Sequence, residues 1–491
     1  MDTDHRSLAA LDPTGRLYNE DLAPATERKW SSYSFFAVWM SAIHNIGTYT
    51  FVAGLFVIGL TGWQVLAAIL IGTGILFFGM NWAGRMGQQT GVPFPVMARI
   101  SFGIWGANVP ALIRAVIAIC WYGIQTYLAS MAVVVLLLRT DPDLERWQNQ
   151  SFLGLSVLGW ACFLLLWVLQ LLVITRGMEA VRRFQDWAGP IVWVVMLAMA
   201  VWLFALADWH LPMNMSIKPL AGGDVFRGVL TGAFLLVATY ATMLLNYCDF
   251  TRFAKSDRAV IRGNFWGIPV NFAAFAAISI TMTIGTVVVF GEAITDPALI
   301  LAKVPNTFAL VLGAVMFIVA TIGVNVVLNF VSPAYDLANV WPKHITFRRG
   351  GIISAILALL VMPWNLYSNP VVINYFLGGL GAFLGPLFGI MAVDYYLINR
   401  GAIAIRDLYR SDANGTYFFR KGVNRKAIAV FVPTASLAAI MALVPGLQAV
   451  AAFSWPVGVV TAGLAYYLAM GRHAKRADLA TEPDGDLMPV E

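Results

Sequence analysis

Runs of about twenty apolar residues recur along nearly the whole chain, and that length is what an α-helix needs to cross the hydrocarbon core of a bilayer. We read twelve such spans, at about 32–58, 62–84, 108–138, 152–175, 185–207, 226–247, 263–290, 306–332, 349–366, 371–397, 426–445 and 451–470. Composition agrees: 59% of residues are hydrophobic and 12% charged, against about 25% charged in a soluble domain. The expected fold class is an all-α polytopic membrane protein embedded in the lipid bilayer. The polar N-terminus carries no apolar core before about Lys29, so the first span, not a cleaved leader, is expected to direct insertion. Cys120, Cys162 and Cys248 lie in or beside apolar segments at no metal-binding spacing. The net charge of +6 sits in short loops and is no nucleic-acid signal.

Loop charge sets orientation, because cytoplasmic loops are enriched in Lys and Arg. Of the 32 basic residues, the even-numbered connections and the two ends hold nearly all; the opposite loops hold Arg139, Arg146, Lys218, Arg227 and Lys303, and Arg114 lies within span 3. Both termini are therefore expected on the cytoplasmic side of the cell membrane. Five spans make a natural repeat, since an odd count inverts the second copy. Transporters place broken helices at matching positions of such repeats. Span 1 carries His44-Asn45-Ile46-Gly47 at its middle, and span 6 carries Gly232 and then Thr239-Tyr240-Ala241-Thr242. Both are candidate breaks.

The segment Cys120-Trp121-Tyr122-Gly123-Ile124-Gln125 in span 3 sets an aromatic ring and an amide four residues apart, on one helix face. An amide in hydrocarbon needs another helix, a watered cavity or a ligand as partner. Asn325 and Asn329 repeat the spacing in span 8. The alternative for each is structural: a packing tryptophan, an interhelical amide bond, or, for Asn45, a kink cap. The aspartates noted here, Asp186, Asp249 and Asp394, fall near span ends, so the midplane inventory is amides, aromatics and hydroxyls. Such a site suits a neutral planar molecule with N–H and C=O edges and compensates a charged one poorly. No His, Asp, Glu or Cys cluster supports an enzyme, and no cofactor is expected.

At these residues the chain resembles the nucleobase–cation symporter-1 family of cytosine, uracil, hydantoin and allantoin permeases. The similar motifs are Gly91-Val-Pro-Phe-Pro-Val-Met-Ala-Arg99 with Ser101-Phe-Gly103, Gly106-Ala-Asn-Val-Pro-Ala-Leu-Ile-Arg114, Asp249-Phe-Thr-Arg252, Ser332-Pro-Ala-Tyr335, Gly385-Pro-Leu-Phe-Gly389 and Asp394-Tyr-Tyr396. Ile43-His-Asn-Ile46, Met178-Glu-Ala-Val-Arg-Arg-Phe184 and Asn325 through Asp336 look most like bacterial allantoin permeases. The resemblance implies a leucine-transporter-like fold working by alternating access. Its parts would be a tail 1–31, a five-helix repeat 32–207, an inverted second repeat 226–397, a cytoplasmic loop 398–425, two extra helices 426–470 and a tail 471–491. It implies that substrate stacks on Trp121 and is held by Gln125 and Asn329. Asn45 stands where the family's hydantoin-binding pattern has Gln, and Tyr240 where it has Trp; Asn325 is a further candidate.

The family's sodium pattern implies carbonyls at Ser41, His44 and Ala320, with two hydroxyls at positions that here are Gly323 and Val324. Neither offers an oxygen side chain, and hard cations want a full oxygen shell. The expectation is proton coupling or sodium independence, with His44 a titrating candidate, and import of a small neutral nucleobase or ureide, allantoin first, then uracil, hydantoin or cytosine. The alternatives are a sodium-coupled symporter and an uncoupled facilitator or channel.

Overall fold

The computed structural model describes residues 11–367 and 370–470; residues 1–10 and the expected tail 471–491 lie outside the described residues. Six helices among the described residues are long and apolar enough to cross a bilayer unaided: Gly62–Thr90, Asn108–Thr140, Met178–Leu206, Asp257–Phe290, Leu310–Val340 and Arg425–Leu443. Other expected spans fall on shorter or interrupted helices. We label the elements used below α1 (Ser32–Ile43), α2 (Ile46–Val57), α3 (Gly62–Thr90), α4 (Asn108–Thr140), α5 (Val157–Ile174), α6 (Met178–Leu206), α7 (Gly223–Thr239), α8 (Ala241–Asn246), α9 (Asn271–Phe290), α10 (Thr307–Val324), α11 (Val331–Val340), α12 (Phe347–Leu360), α13 (Pro370–Val393), α14 (Arg425–Leu443) and α15 (Ser454–Met470).

The first span is two helices. His44 leaves the helical region at φ −83°, ψ 76°, and Asn45 is extended at φ −145°, ψ 167°. Asn45 then restarts the chain as the N-cap of α2, its Oδ1 accepting from the Thr48 amide at 3.0 Å. An asparagine side chain satisfies an orphan amide at a helix start, so one residue both ends α1 and begins α2. The sixth span is interrupted at Tyr240, with φ −97°, ψ 6°, between α7 and α8. Asn325–Phe330 forms a π-helical stretch joining α10 to α11, the kind of local widening that occurs at functional positions.

Two boundaries differ from expectation. A small hairpin pairs Ser151 with Ser156 and Phe152 with Leu155, and Ser156 caps α5, so the fourth helix begins at Val157. The eighth span continues to Val340 through Pro333.

Large apolar side chains stay exposed along the helices, among them Phe78, Val116, Val194, Leu360 and Leu468. Exposed apolar surface on this scale calls for a covering phase, and bilayer lipid supplies it. The inward faces bury amides and arginines instead. Small residues set the closest approach: a β-carbon on Gly385 or Gly389 would stand 2.5 and 2.2 Å from the carbonyls of Trp455 and Val459, so α13 and α15 meet backbone to backbone. The chain entering α1 is tied to the chain beyond α8 by a parallel bridge, with Trp30 N donating to Phe253 O at 2.9 Å and Lys255 N to Trp30 O at 3.0 Å.

Candidate functional site

The two interrupted helices meet each other at their breaks, and the first of them also meets α4. Asn45 Nδ2 donates to Ala42 O at 2.8 Å, to Ile43 O at 3.3 Å and to Thr48 Oγ1 at 3.0 Å. Thr48 Oγ1 lies 3.2 Å from the Tyr240 hydroxyl, which donates to Ala42 O at 3.2 Å. Tyr240 is thus fixed across the break in α1–α2 and packs beside Trp39 and Phe272, with ring centroids 6.2 and 5.9 Å away. Gly47 brings the break against Gln125: a β-carbon on Gly47 would stand 3.2 Å from both Asn45 Oδ1 and Gln125 Nε2. The absence of a side chain there is what lets the Gln125 amide approach.

A second network starts one residue further along α4. Asn325 Nδ2 donates to Gln170 Oε1 at 2.9 Å, Thr126 Oγ1 at 3.0 Å and Tyr122 O at 3.3 Å, while Asn325 Oδ1 accepts from Asn329 Nδ2 at 2.9 Å. Gln170 Nε2 donates in turn to Thr126 Oγ1 at 3.2 Å and Leu166 O at 3.0 Å. Asn325 and Gln170 are fully buried and their amides are consumed by protein, which fixes the orientation of Asn329. Among the six residues the sequence singled out for binding, Asn45, Asn325 and Tyr240 are therefore held by internal hydrogen bonds. Trp121 and Gln125 are only half-buried on α4, and Gln125 makes no hydrogen bond to a described residue. Asn329 donates through Nδ2, and its Oδ1 accepts from no described residue.

The expected cation position lies where α1, α6 and α10 meet. A β-carbon on Gly323 would stand 3.3 Å from Ser41 Cβ and 3.7 Å from Gln185 Oε1. Gln185 Nε2 donates to Gly323 O at 3.0 Å, joining α6 to α10. Ser41 Oγ and Gln185 Oε1 are buried without partners among the described residues. Ala320 lies one turn before Gly323 on the same helix, and it and Val324 are buried. His44 is wholly buried, stacked on Phe275 at 4.9 Å and 6.0 Å from Trp193, with the Asn271 amide as its polar neighbour.

Sequence reasoning missed Gln170, a lone amide in an apolar run, and Gln185, which follows Arg182 and Arg183 at the start of the fifth span. The argument applied to Gln125 applies to Gln170. It also missed a carboxylate. Asp336 on α11 is fully buried, as are Asp249 and Arg114. Arg114 stays inside rather than reaching the membrane surface, donating to Leu328 O at 2.7 Å and to Asn246 Oδ1 at the end of α8 at 3.3 Å. Asn246 donates to Asp249 Oδ2 at 3.1 Å, and Asp249 Oδ1 accepts from the Phe94 amide at 2.8 Å. Burial pushes the Asp249 carboxyl up to about 6 against those hydrogen bonds. Among the described residues, no three His, Cys, Asp or Glu side chains cluster to hold a metal ion.

A family model described as a permease for cytosine/purines, uracil, thiamine and allantoin matches residues 23–463. The chain belongs to this permease family. It is 42% identical to an allantoin permease of Bacillus subtilis over 473 residues, covering 96% of each protein. It is 32% identical to a purine-uracil permease of Arabidopsis thaliana, over 89% of this chain and 72% of that one. Among solved structures, a nucleobase-cation-symport-1 family transporter in a closed conformation with bromovinylhydantoin bound superposes with a TM-score of 0.76 at 26% identity, covering 95% of this chain and 98% of that one. The permease is thus a multi-pass membrane transporter and not an enzyme.

Proposed function

We propose that this permease imports a neutral nucleobase or ureide, with allantoin favoured, by alternating access and without a sodium requirement. The observation that carries the reading is the half-buried Trp121–Gln125 face of α4, next to the Thr126 hydroxyl that joins the Asn325–Gln170 network orienting the Asn329 amide. Every polar side chain in these two networks is an amide or hydroxyl, so the site offers donors and acceptors and no net charge. Trp121 supplies a flat stacking face, Gln125 and Asn329 read the N–H and C=O edges, and Asn45 and Tyr240 hold the helix break that shapes the wall. The 42% identity to an allantoin permease supports allantoin as the first substrate to try. In this reading the breaks at Asn45 and Tyr240 belong to two inverted five-helix repeats, 32–207 and 226–397, with both termini in the cytoplasm.

Proton coupling is favoured over sodium because Gly323 and Val324 bring no hydroxyl and the Gln185 amide already bonds the Gly323 carbonyl. The test is uptake of radiolabelled allantoin into vesicles, with uracil, hydantoin, cytosine and adenine as competitors, under an inside-alkaline pH gradient with and without sodium. Concentrative, sodium-independent uptake blocked best by allantoin is the expected result. Uptake abolished by removing sodium would overturn the coupling assignment and turn attention to Ser41 Oγ and Gln185 Oε1 as cation ligands. Equilibration without accumulation would identify a facilitator.

A further inference from the structure

The buried charges at the junction of α4, α8 and α11 are unused by the recognition site and are incompletely paired. Asp336 Oδ2 accepts from Ser332 Oγ at 3.2 Å, while Oδ1 has no partner among the described residues. Arg114 is equally incomplete: its NH2 group is bonded to Leu328 O and Asn246 Oδ1, and its Nε and NH1 have no partner. A buried carboxylate oxygen and a buried guanidinium edge thus stand in one cluster, each short of a hydrogen bond, on side chains fully shielded from solvent. The other charged groups packed around α11 make bonds of their own or reach the surface, although Arg252 Nε finds no partner among the described residues. Asp249 is held by the Phe94 amide and Asn246. Arg252 donates to Asp21 O and Ala23 O and lies over the rings of Phe253 and Tyr335. Arg99 donates to Asn339 Oδ1 and Leu408 O. Arg348 and Arg349 of α12 are exposed at the surface.

We propose that Asp336 is the residue that binds the coupling proton, and that Arg114 relays its occupancy to the substrate amides. An ionised carboxylate oxygen left without a partner in a buried site is strongly disfavoured. Two arrangements relieve it. A proton taken from water onto Oδ1 makes a neutral acid, and Arg114 stays on Leu328 O. Loss of that proton to water leaves a carboxylate that draws the Nε and NH1 edge of Arg114 and loosens its hold on Leu328 O. Leu328 precedes Asn329 inside the π-helical stretch, so the exchange of partners reaches the amide that reads substrate. The two arrangements are mutually exclusive, which is what coupling requires: a proton and a conformation that compete for one oxygen. This inference rests on the proton-coupled reading above and locates its site.

The experiment uses the full-length permease in proteoliposomes with radiolabelled allantoin. Two assays are run: accumulation under an inside-alkaline gradient, and counterflow exchange with no gradient. One proton per substrate supports about tenfold accumulation per pH unit. Asp336→Asn is expected to keep exchange within about threefold of wild type and to lose gradient-driven accumulation, and Asp336→Glu to recover it. Gradient-driven accumulation undiminished in Asp336→Asn would overturn the assignment while leaving proton coupling intact. Loss of both exchange and accumulation in Asp336→Asn, without recovery in Asp336→Glu, would make Asp336 structural and overturn it as well. Wild-type protein that exchanges allantoin but ignores the gradient would instead sink proton coupling itself.

Discussion

Two buried polar regions lie a few turns apart along α4 and are built on opposite principles. Around Gln125 and Thr126 the polar groups are amides and hydroxyls, linked from Gln170 through Asn325 to Asn329 and from Asn45 through Thr48 to Tyr240. Around Arg114 they are formal charges, with Asp249 and Asp336 joined to one guanidinium through Asn246 or not at all. Amides carry both donors and acceptors without charge, so they can exchange protein partners for a ligand at little electrostatic penalty. Buried charges lack that freedom, because removing one partner strands the other. The first region is suited to recognition, the second to holding helices together and to sensing protonation.

The largest expected effect tests the recognition half. Trp121→Ala and Gln125→Ala should each nearly abolish allantoin uptake while insertion and melting temperature stay near wild type, since both side chains are only half-buried. Full activity in both would erase the distinction drawn here. Next, Arg114→Leu should act on stability first. It strips Leu328 O and Asn246 Oδ1 of their donor and removes the cation that faces Asp336, a change bounded by the about 3–5 kcal/mol of breaking a buried pair, read as a fall in melting temperature in detergent. An unchanged melt would show that the cluster carries no structural load. The smallest effect should come from Tyr240→Phe, which removes the bonds to Thr48 and Ala42 O while keeping the ring. Neutral hydrogen bonds contribute about 1 kcal/mol each, so uptake should fall by a few-fold in affinity with the maximal rate preserved. A null transporter would move Tyr240 from the wall into the chemistry.

The neutral region was largely legible in the sequence and the charged one was not. Asn45 and Tyr240 stood out because polar residues in mid-span disturb a helix, and both breaks are where those residues fall. The i, i+4 pairs Trp121/Gln125 and Asn325/Asn329 announced shared faces. What the pattern could not convey is which amides are consumed by protein: Asn325 is satisfied by Gln170, an amide from a helix far away in sequence. Asp336 escaped because Ser332-Pro333 reads as the end of a helix. Proline lacks the donor for the carbonyl four residues back, here that of Asn329. The π-helical stretch just before it rearranges the ladder, so α11 continues and carries Asp336 inward. Gly323 showed the vacancy of the hydroxyls but not the Gln185 amide that reaches into it.

The bridge between Trp30 and Ala254 has a mechanical consequence. Both of its hydrogen bonds run main chain to main chain, from Trp30 N to Phe253 O and from Lys255 N to Trp30 O. The chain leading into one interrupted helix is therefore clasped to the chain leaving the other, and α1 and α8 share a hinge pin. A tilt of either one drags its counterpart. The clasp is indifferent to side-chain identity, so alanine scanning passes over it; proline at Trp30 or Lys255, which deletes the donor itself, is the substitution that would unfasten the two levers.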